Sequence, residues 1–483
     1  MVWTFTPVPP RKTVAQLNAD FQSIADAVNA ITSTGVGAGG YTYIVGKSGA
    51  VYEAYNNQAT LVYGGAGDAG GADGDLLEEV IQACIDNGGA GASIAIAPQT
   101  LTLTADGIDM NVTGQTLFGF GYGSRITQVN GADINIMVDV SADAVTIENL
   151  YLEGNYANNV DTIGIKLSNV AADYFTLRNS WIWHFPGLLV SLAGGNTVFN
   201  IHHNYISGTL GGSSVLLSGS ADGWLHHNSI AGGNAIATGI VHMSSGAYIN
   251  IDHNKLFGTA TNYLYLDGPL YCNVNHNIIG GAAPVGTGDL IDIVCTAAAY
   301  GKYNIIADNN LYGDATNRDG IRLTGNEVKY NDIHGNTISN IDDVGINSFS
   351  QSDYNYIHDN YFYTVTTPIA FYGVESIWRN NYGAKFGVVA NKFQNATNIL
   401  SPKWGNQATP SASTDYTVKL TDVILYSTDS GNSDCAIVID NEDGVPVSAA
   451  MSTLNGVYVP VGYTVNWGAY TGAAPTVTAS FLG

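Results

Sequence analysis

One phrase keeps returning through the middle of this chain: an apolar residue, two or so polar residues, an Asn, one further residue, an apolar residue and often a Gly. It reads IENLYLEG at Asn149, LRNSWI at Asn179, IHHNYISG at Asn204, LHHNSIAG at Asn228, IDHNKLFG at Asn254 and VNHNIIGG at Asn277. It continues through DNNLYG at Asn310, IHGNTIS at Asn336, IHDNYFY at Asn360 and RNNYGAKF at Asn381. The nine intervals run from 21 to 33 residues and average about 26. A second phrase, Gly followed by alternating apolar residues, keeps the same beat in GIKL from Gly164, GIVHM from Gly239, GIRL from Gly320 and GINSF from Gly345.

Two phrases in phase at this period mark a solenoid whose coils each hold short strands joined by bends. No coil can bury its apolar side alone, but stacking at about 4.8 Å sets like over like and makes an interior of aligned Ile, Leu and Val. The expected fold is therefore all-β, a right-handed parallel β-helix of about ten coils. An amide offers donors and an acceptor, so stacked Asn side chains can satisfy one another and the backbone of the bend. The Asn row thus reads as structural. At Asn149 and Asn179 the apolar residue falls two places before the Asn instead of three, which predicts a bend one residue shorter there.

Composition agrees with a β-rich chain: 45% of residues are hydrophobic and only 12% charged, with 58 Gly and 29 Tyr. Acidic residues outnumber basic ones 40 to 16, and a formal charge of −24 repels phosphate backbones and anionic membranes. Nucleic acid is excluded as the expected partner, and neutral or mixed glycans are favoured over polyanionic ones. Cys84, Cys272, Cys295 and Cys435 lie far apart without metal-type spacing and read as small apolar residues. Met1 to Lys12 lacks the pattern of a Sec signal, and no apolar run reaches the roughly 18 residues of a membrane span.

The ends differ from the middle. Val14, Leu17, Phe21, Ile24, Val28 and Ile31 alternate spacings of three and four, the seam of a coiled coil, and Thr13 with Gln16 forms a capping box. A lone helix of this length is marginal in water, so the seam needs other copies or another part of the chain; its β-branched residues lean toward three strands. After Ile399 the Asn phrase stops, SPKWGNQATPSAST reads as a linker, and alternating runs such as TDYTVKL, CAIVIDN and GVYVPVGYTVNW predict a small antiparallel β domain. The division is 1–40, attachment segment and coiled-coil helix; 41–92, capping region with a short helix; 93–399, β-helix; 400–483, a β-sandwich-like tip.

DLLEEVIQACIDNGG from Asp75 to Gly89, then ASIAIAPQTLTLT, then LFGFGYGSRI, resembles the opening of pectate-lyase-like β-helix proteins. There a short amphipathic helix caps the first coil and a Gly-rich turn leads into the stack. Joined to a coiled-coil N-terminus, the layout resembles viral tailspikes and tail fibres. The resemblance implies a homotrimer on a virion tail, attached to tail or baseplate proteins through the N-terminus and engaging host cell-surface glycan at its outer surface. The expected function is a receptor-binding spike that engages glycan through grooves along the β-helix and its C-terminal tip; its rivals are a depolymerase that hydrolyses or eliminates the glycan and a non-enzymatic adhesin.

Glycosidic cleavage needs two carboxylates, which adjacent coils can supply. NRDGIRL puts Asp319 at the start of a strand, and IDDVGINS puts Asp342 and Asp343 near the matching place one coil later. This is similar to the Asp phrases of polygalacturonase-type β-helix hydrolases, although the later Gly-His-Gly and Arg-x-Lys phrases of that family are missing. The structural alternative pairs Arg318 with Asp343 and makes Asp319 a turn cap. Asp289 and Asp292 form a third option, and Arg322 is the Arg nearest several Asp residues. Trp183, Trp224, Tyr248, Tyr263 and Tyr265 offer flat faces to sugar rings, with Trp224 on an outward position and Trp181 assigned to the core in line with Ile206. His203, His227, His253 and His276 form one column, and ligands in a single row cannot surround a zinc ion tetrahedrally. GDAGGADGD, from Gly67 to Asp75, lacks ordered calcium-loop spacing. No metal or cofactor is expected.

Overall fold

In the computed structural model of the chain, the described residues are 40–64 and 74–383, apart from short segments at 161, 170–171, 193–197, 209–211, 220–221, 234–237, 281–287, 296–299, 314–318, 350–351, 372–375 and 380, together with seven strands between Thr417 and Phe481. The heptad seam of 14–31 lies outside them. So does Arg318, and with it the proposed Arg318–Asp343 pair.

The chain is a parallel β-solenoid. Strands Tyr43–Ser48, Val51–Asn56 and Leu61–Gly64 form an antiparallel meander, and the first of them pairs in parallel with Ser93–Ile96 to start the stack. Most coils then add one strand to a fifteen-strand sheet and two to a twenty-one-strand sheet, the two merging into one long strand at Thr337–Ser348 and Tyr361–Phe371. In one such coil Asn250–Asp252, Lys255–Gly258 and Asn262–Asp267 lie in register on Gly223–His226, Ser229–Gly232 and Gly239–Ser244.

The interior follows from that register. Ile147, Leu177, Ile201, Leu225, Ile251, Val274, Ile306, Ile333 and Ile357 face one another coil after coil, and all are fully buried. Each such side chain contributes roughly 1.5–3 kcal/mol of apolar burial, and none could be covered without its neighbours above and below.

The Asn column is continuous through Asn204, Asn228, Asn254, Asn277, Asn309, Asn336, Asn360 and Asn381. The Oδ1 of each later Asn accepts both the backbone N–H and the side-chain amide of the preceding one, at 2.9–3.1 Å. Each amide of the column also donates to a carbonyl of the coil before it, as Asn204 does to Leu177 and Asn381 to Ile357. Two expectations are corrected here. Asn309, not Asn310, belongs to the column; Asn310 is exposed in the strand that follows. Nor is the bend shorter at Asn149 and Asn179: Asn179 aligns with His203, and Ser180 takes the column position, its N–H donating to Asn204 Oδ1 at 2.9 Å. Asn149 and Asn179 occupy the left-handed bend position, φ 55° and 52°, which His203, His227, His253 and His276 fill in later coils. An Asn reaches that conformation more readily than most side chains.

A second Asn column lies across the sheet. At the other end of the fifteen-strand sheet Asn304 Oδ1 accepts from Cys272 N, Asn331 Oδ1 from Asn304 N, and Asn355 Oδ1 from Asn331 N. Beside it Tyr248, Tyr271, Tyr303, Tyr330 and Tyr354 stand in left-handed conformation, ring on ring at 5.0–5.2 Å. The dipeptide Tyr-Asn at 303, 330 and 354 is the sequence signal for it.

Helix α1, Leu77–Gly88, closes the start of the solenoid, burying Leu77, Val80, Ile81, Cys84 and Ile85. The carboxylate of its buried Glu78 accepts from the N–H groups of Thr104, Ala105 and Asp106 and from Thr104 Oγ1. Gln115 Nε2 donates to the carbonyls of Ile85 and Gly89, satisfying acceptors at the helix end. Far along the chain, the seven strands between Thr417 and Phe481 pair antiparallel in sets of four and three. The sandwich-like tip expected over 400–483 goes beyond these backbone pairings, because most of its residues lie outside the described ones.

Candidate functional site

The outward row of the twenty-one-strand sheet runs Leu216, His242, Tyr265, Asp292, Arg322, Asn347, one residue per coil. Alternation along each strand produces this: in Ile291–Val294 the Ile residues point in and Asp292 points out. A second row, at the residues entering these strands, holds Asn262, Asp289, Asp319 and Val344. Asp289 N–H donates to Asn262 Oδ1 at 2.7 Å, Asp319 N–H to Asp289 Oδ1 at 3.0 Å, and Val344 N–H to Asp319 Oδ1 at 3.2 Å. The two rows converge on one polar group. Arg322 Nη1 donates to Asp289 Oδ2 at 3.3 Å, and Asn347 Nδ2 to Asp319 Oδ2 at 2.8 Å.

Three carboxylates here are almost wholly withdrawn from water: Asp289 is 2%, Asp292 5% and Asp319 5% exposed. Burial, then the charge of Asp289, pushes Asp292 up to about 7, with Arg322 pulling the other way. Asp319 is likewise pushed up to about 7 by burial, then by Asp289, against the hydrogen bond from Asn347. Burial works against the charge on Arg322, but Asp289, Asp292 and Asp319 more than offset it and raise its pKa. Asp292 Oδ1 is buried without a hydrogen-bond partner among the described residues. One guanidinium facing three carboxylates cannot neutralise them all, so the group keeps a proton near neutrality, held by the set and not by one residue.

Asp319 is thus in the cluster, with Arg322 and with the two residues of the third option, Asp289 and Asp292. Asp342 and Asp343 are not at the matching place. Asp319 aligns with Val344, and the register shifts between Ile341 and Val344, which leaves both carboxylates exposed on an irregular stretch; Asp343 reaches Asp319 only as a further charge that raises its pKa. The irregularity is what the sequence could not reveal.

The aromatic assignments divide. Trp224 is outward and 51% exposed. Tyr248 is exposed but stacks on Tyr271, which covers one of its faces. Trp183 is half-buried and stacks on Tyr205 at 5.3 Å. Tyr265 lies in the site row, edge-on to His242 at 5.2 Å. Tyr263 is corrected to the core: it is fully buried, and its hydroxyl donates to Gly258 O at 2.8 Å. Trp181 aligns with Tyr205, not Ile206, and so faces outward, edge-on to Tyr122 at 5.8 Å.

The His column is present as aligned rings. His203, His227, His253 and His276 stack at 4.8–5.0 Å with interplanar angles of 2–7°. His202 and His226 form a parallel stack beside it at 4.9 Å, each with its Nδ1 at 2.8–2.9 Å from the Nδ1 of the next residue, so one ring of each pair must supply the hydrogen.

No protein-family model and no curated relative matches the chain. Among solved structures, similarities at low identity are found. The A-module of the Azotobacter vinelandii mannuronan C-5 epimerase AlgE6 is 16% identical, with 64% of this chain and 96% of that one covered and a TM-score of 0.42. DFA-IIIase from Arthrobacter chlorophenolicus A6 in complex with DFA-III is 14% identical over 64% and 80%, TM-score 0.45. ORF18 of Geobacillus virus E2 is 12% identical over 98% and 80%, TM-score 0.47.

Proposed function

We propose that this chain is a glycan-engaging β-solenoid that cleaves glycosidic bonds at the Asp289–Asp292–Asp319 group. The observation that carries this is the gathering of three almost buried carboxylates from adjacent coils around one Arg. Such a group is costly to bury, and the backbone hydrogen bonds of Asp289 and Asp319 account for neither Asp292 nor Arg322. Chemically it is suited to acid–base work, since it holds a proton-bearing carboxyl and an ionised one together near neutral pH. Asp292, with an oxygen that makes no hydrogen bond among the described residues, is the proton donor in this reading; Asp319, oriented by Val344 N–H and Asn347, is the base or nucleophile; Arg322 balances the charge. The acidic surface favours a neutral or mixed glycan, and Trp224 offers a ring face to it.

In the same proposal the protein is a homotrimeric virus tail appendage carried by its N-terminus, a reading that rests on the heptad seam of Val14 to Ile31. A monomeric mass in solution with that seam intact would remove it. Cleavage is tested by incubation with a panel of capsular and cell-wall polysaccharides. New reducing ends signify hydrolysis, and new ultraviolet absorbance from an unsaturated uronate signifies elimination. Asp292→Asn and Asp319→Asn should each lower the rate by about a hundredfold or more; full retention in both would refute the assignment. A second reading, recognition without cleavage, is favoured by the structural hydrogen bonds of Asp289 and Asp319, and glycan binding without product would select it.

A further inference from the structure

On the opposite wall, the geometry points to a divalent transition-metal site formed by Asp332, His334 and His358. Asp332 and His334 are two apart on one strand and share its outward face, while His358 lies directly across from His334 in the next coil. Three donor atoms converge: Asp332 Oδ1 is 3.2 Å from His334 Nδ1 and 3.0 Å from His358 Nε2, and all three lie within 4.8 Å of one another. Ligands on a tetrahedral zinc sit roughly 3.3 Å apart, given bonds of about 2.0–2.1 Å. The set draws on two rows and two coils, so it escapes the objection that excludes a single His column.

The hydrogen bonding favours a cation at this point. His358 Nδ1 faces Asp359 Oδ2 at 2.6 Å, while its Nε2 faces Asp332. Each ring nitrogen therefore looks at a carboxylate oxygen, and each needs a hydrogen or a metal between. If Nδ1–H donates to Asp359, Nε2 presents a lone pair, the carboxylate–His–metal arrangement that orients a ligand. His334 Nδ1 is buried and makes no hydrogen bond among the described residues, so in the tautomer that carries its hydrogen on Nε2 it too presents a lone pair beside Asp332. Two imidazoles and one carboxylate suit zinc, nickel or copper over calcium or magnesium. The rings of His334 and His358 are parallel at 4.9 Å, and parallel rings cannot both aim at one ion, so loading must tilt them apart. The bound metal joins two successive coils, and its role is to clamp them.

The test uses tag-free, chelator-treated full chain and zinc chloride alone. Calorimetry should give one equivalent bound per chain at this site and thermal unfolding should move upward, with both responses lost in Asp332→Ala and His358→Ala and weakened in Asp359→Asn. Histidine nitrogen–proton spectra should show the His334 and His358 ring signals moving on loading. His334→Gln, which removes no described side-chain hydrogen bond, keeps the test readable where circular dichroism finds Asp332→Ala unfolded. His253→Ala should bind as wild type. No stoichiometric binding, binding unchanged in Asp332→Ala, His358→Ala or His334→Gln, or loss that follows His253→Ala instead would overturn the site. Because the carboxylate group lies on the other sheet, polysaccharide cleavage by the zinc-free protein reports on the proposed function separately.

Discussion

The sequence IADNNLYG holds two adjacent Asn residues, and the solenoid treats them oppositely, which makes Asn309→Ala against Asn310→Ala a sharp experiment. Asn309 is 1% exposed; its Oδ1 accepts from Asn277 N and Asn277 Nδ2, and its Nδ2 donates to Val274 O at 2.8 Å and Asn336 Oδ1 at 2.9 Å. After truncation Asn277 Nδ2 still reaches Ile251 O and Asn275 O, and Asn336 Oδ1 still accepts from Asn309 N. One group loses its partner outright, the buried Asn277 N–H, while Val274 O, which lies within the parallel ladder, loses an additional side-chain bond. At about 1–3 kcal/mol for an unsatisfied buried group and about 0.5–1.5 kcal/mol for the lost bond, the loss is about 1.5–4.5 kcal/mol. Asn310 is exposed, and its truncation should stay within about 0.5 kcal/mol. Guanidinium unfolding followed by Trp fluorescence measures the difference, and hydrogen exchange at Asn277 N–H reads it locally. Equal costs for the two variants, or a larger one for Asn310, would refute the column's register and the argument that it secures the bends.

The buried carboxylates and the His stack should give opposed pH slopes. With pKa values raised to about 7 from the 3.8 of a free carboxyl, Asp292 and Asp319 stabilise the fold in their protonated forms; that contribution is whole below about 4 and is lost as pH rises through about 7, on the order of 4 kcal/mol for one such group titrating alone. Asp292→Asn should therefore flatten the fall of stability between pH 5 and pH 8, as read by denaturant titration at each pH, and an unchanged slope would count against the clustering. His202, lowered to about 4 first by burial and then by His226, contributes stability that is present above pH 6.5 and lost as pH falls toward 4; His202→Gln should soften acid unfolding. Gly223→Ala should destabilise by about 1–3 kcal/mol, because an added Cβ would stand 2.0 Å from Phe199 Cε1, with a normal thermal midpoint as the contrary result. Trp224→Ala should weaken glycan retention in affinity electrophoresis while leaving stability unchanged, and undiminished retention would remove Trp224 from the binding surface.

Much of this was legible because a solenoid writes its register into the chain. The period placed Asn204, Asn228, Asn254 and Asn277 in one column, and the same beat placed Trp224 outward. What failed was finer than the period. Asn179 and Ser180 look interchangeable as the phrase's polar residue, yet only the second faces inward; the first is held at positive φ, a backbone fact with no marker in composition. At the next such pair Asp308 holds the positive-φ position, Asn309 turns inward and Asn310 opens the strand that follows. The carboxylates that follow Asp319 show the same limit. Gly320 stands level with Gly345 and Asp319 with Val344, so Asp343 and Asp342 fall one and two residues short of it, on a stretch where the strand Thr337–Ser348 shifts register against Tyr361–Phe371. One coil earlier, Asp289 lies directly in line with Asp319.

The two bend positions flanking the fifteen-strand sheet explain how a fold of such short strands tolerates strain. Tyr at φ 53–59° and His at φ 54–57° lie where bulky side chains are seldom found, at about 1–3 kcal/mol each where nothing compensates. Stacking returns about 0.5–1.5 kcal/mol for each aromatic pair, and every interior ring of the Tyr column has two such neighbours. The strain and the stacking therefore nearly cancel within the column but not at its start, where Tyr248 has one ring partner in the column among the described residues, Tyr271. A substitution in the middle, Tyr303→Asn, removes two stacks while relieving one strained bend, whereas Tyr248→Asn removes one stack for the same relief. The middle variant should be the less stable of the two by about one stacking increment, 0.5–1.5 kcal/mol. Equal stability in thermal unfolding would mean that the rings ride on the bends instead of holding them.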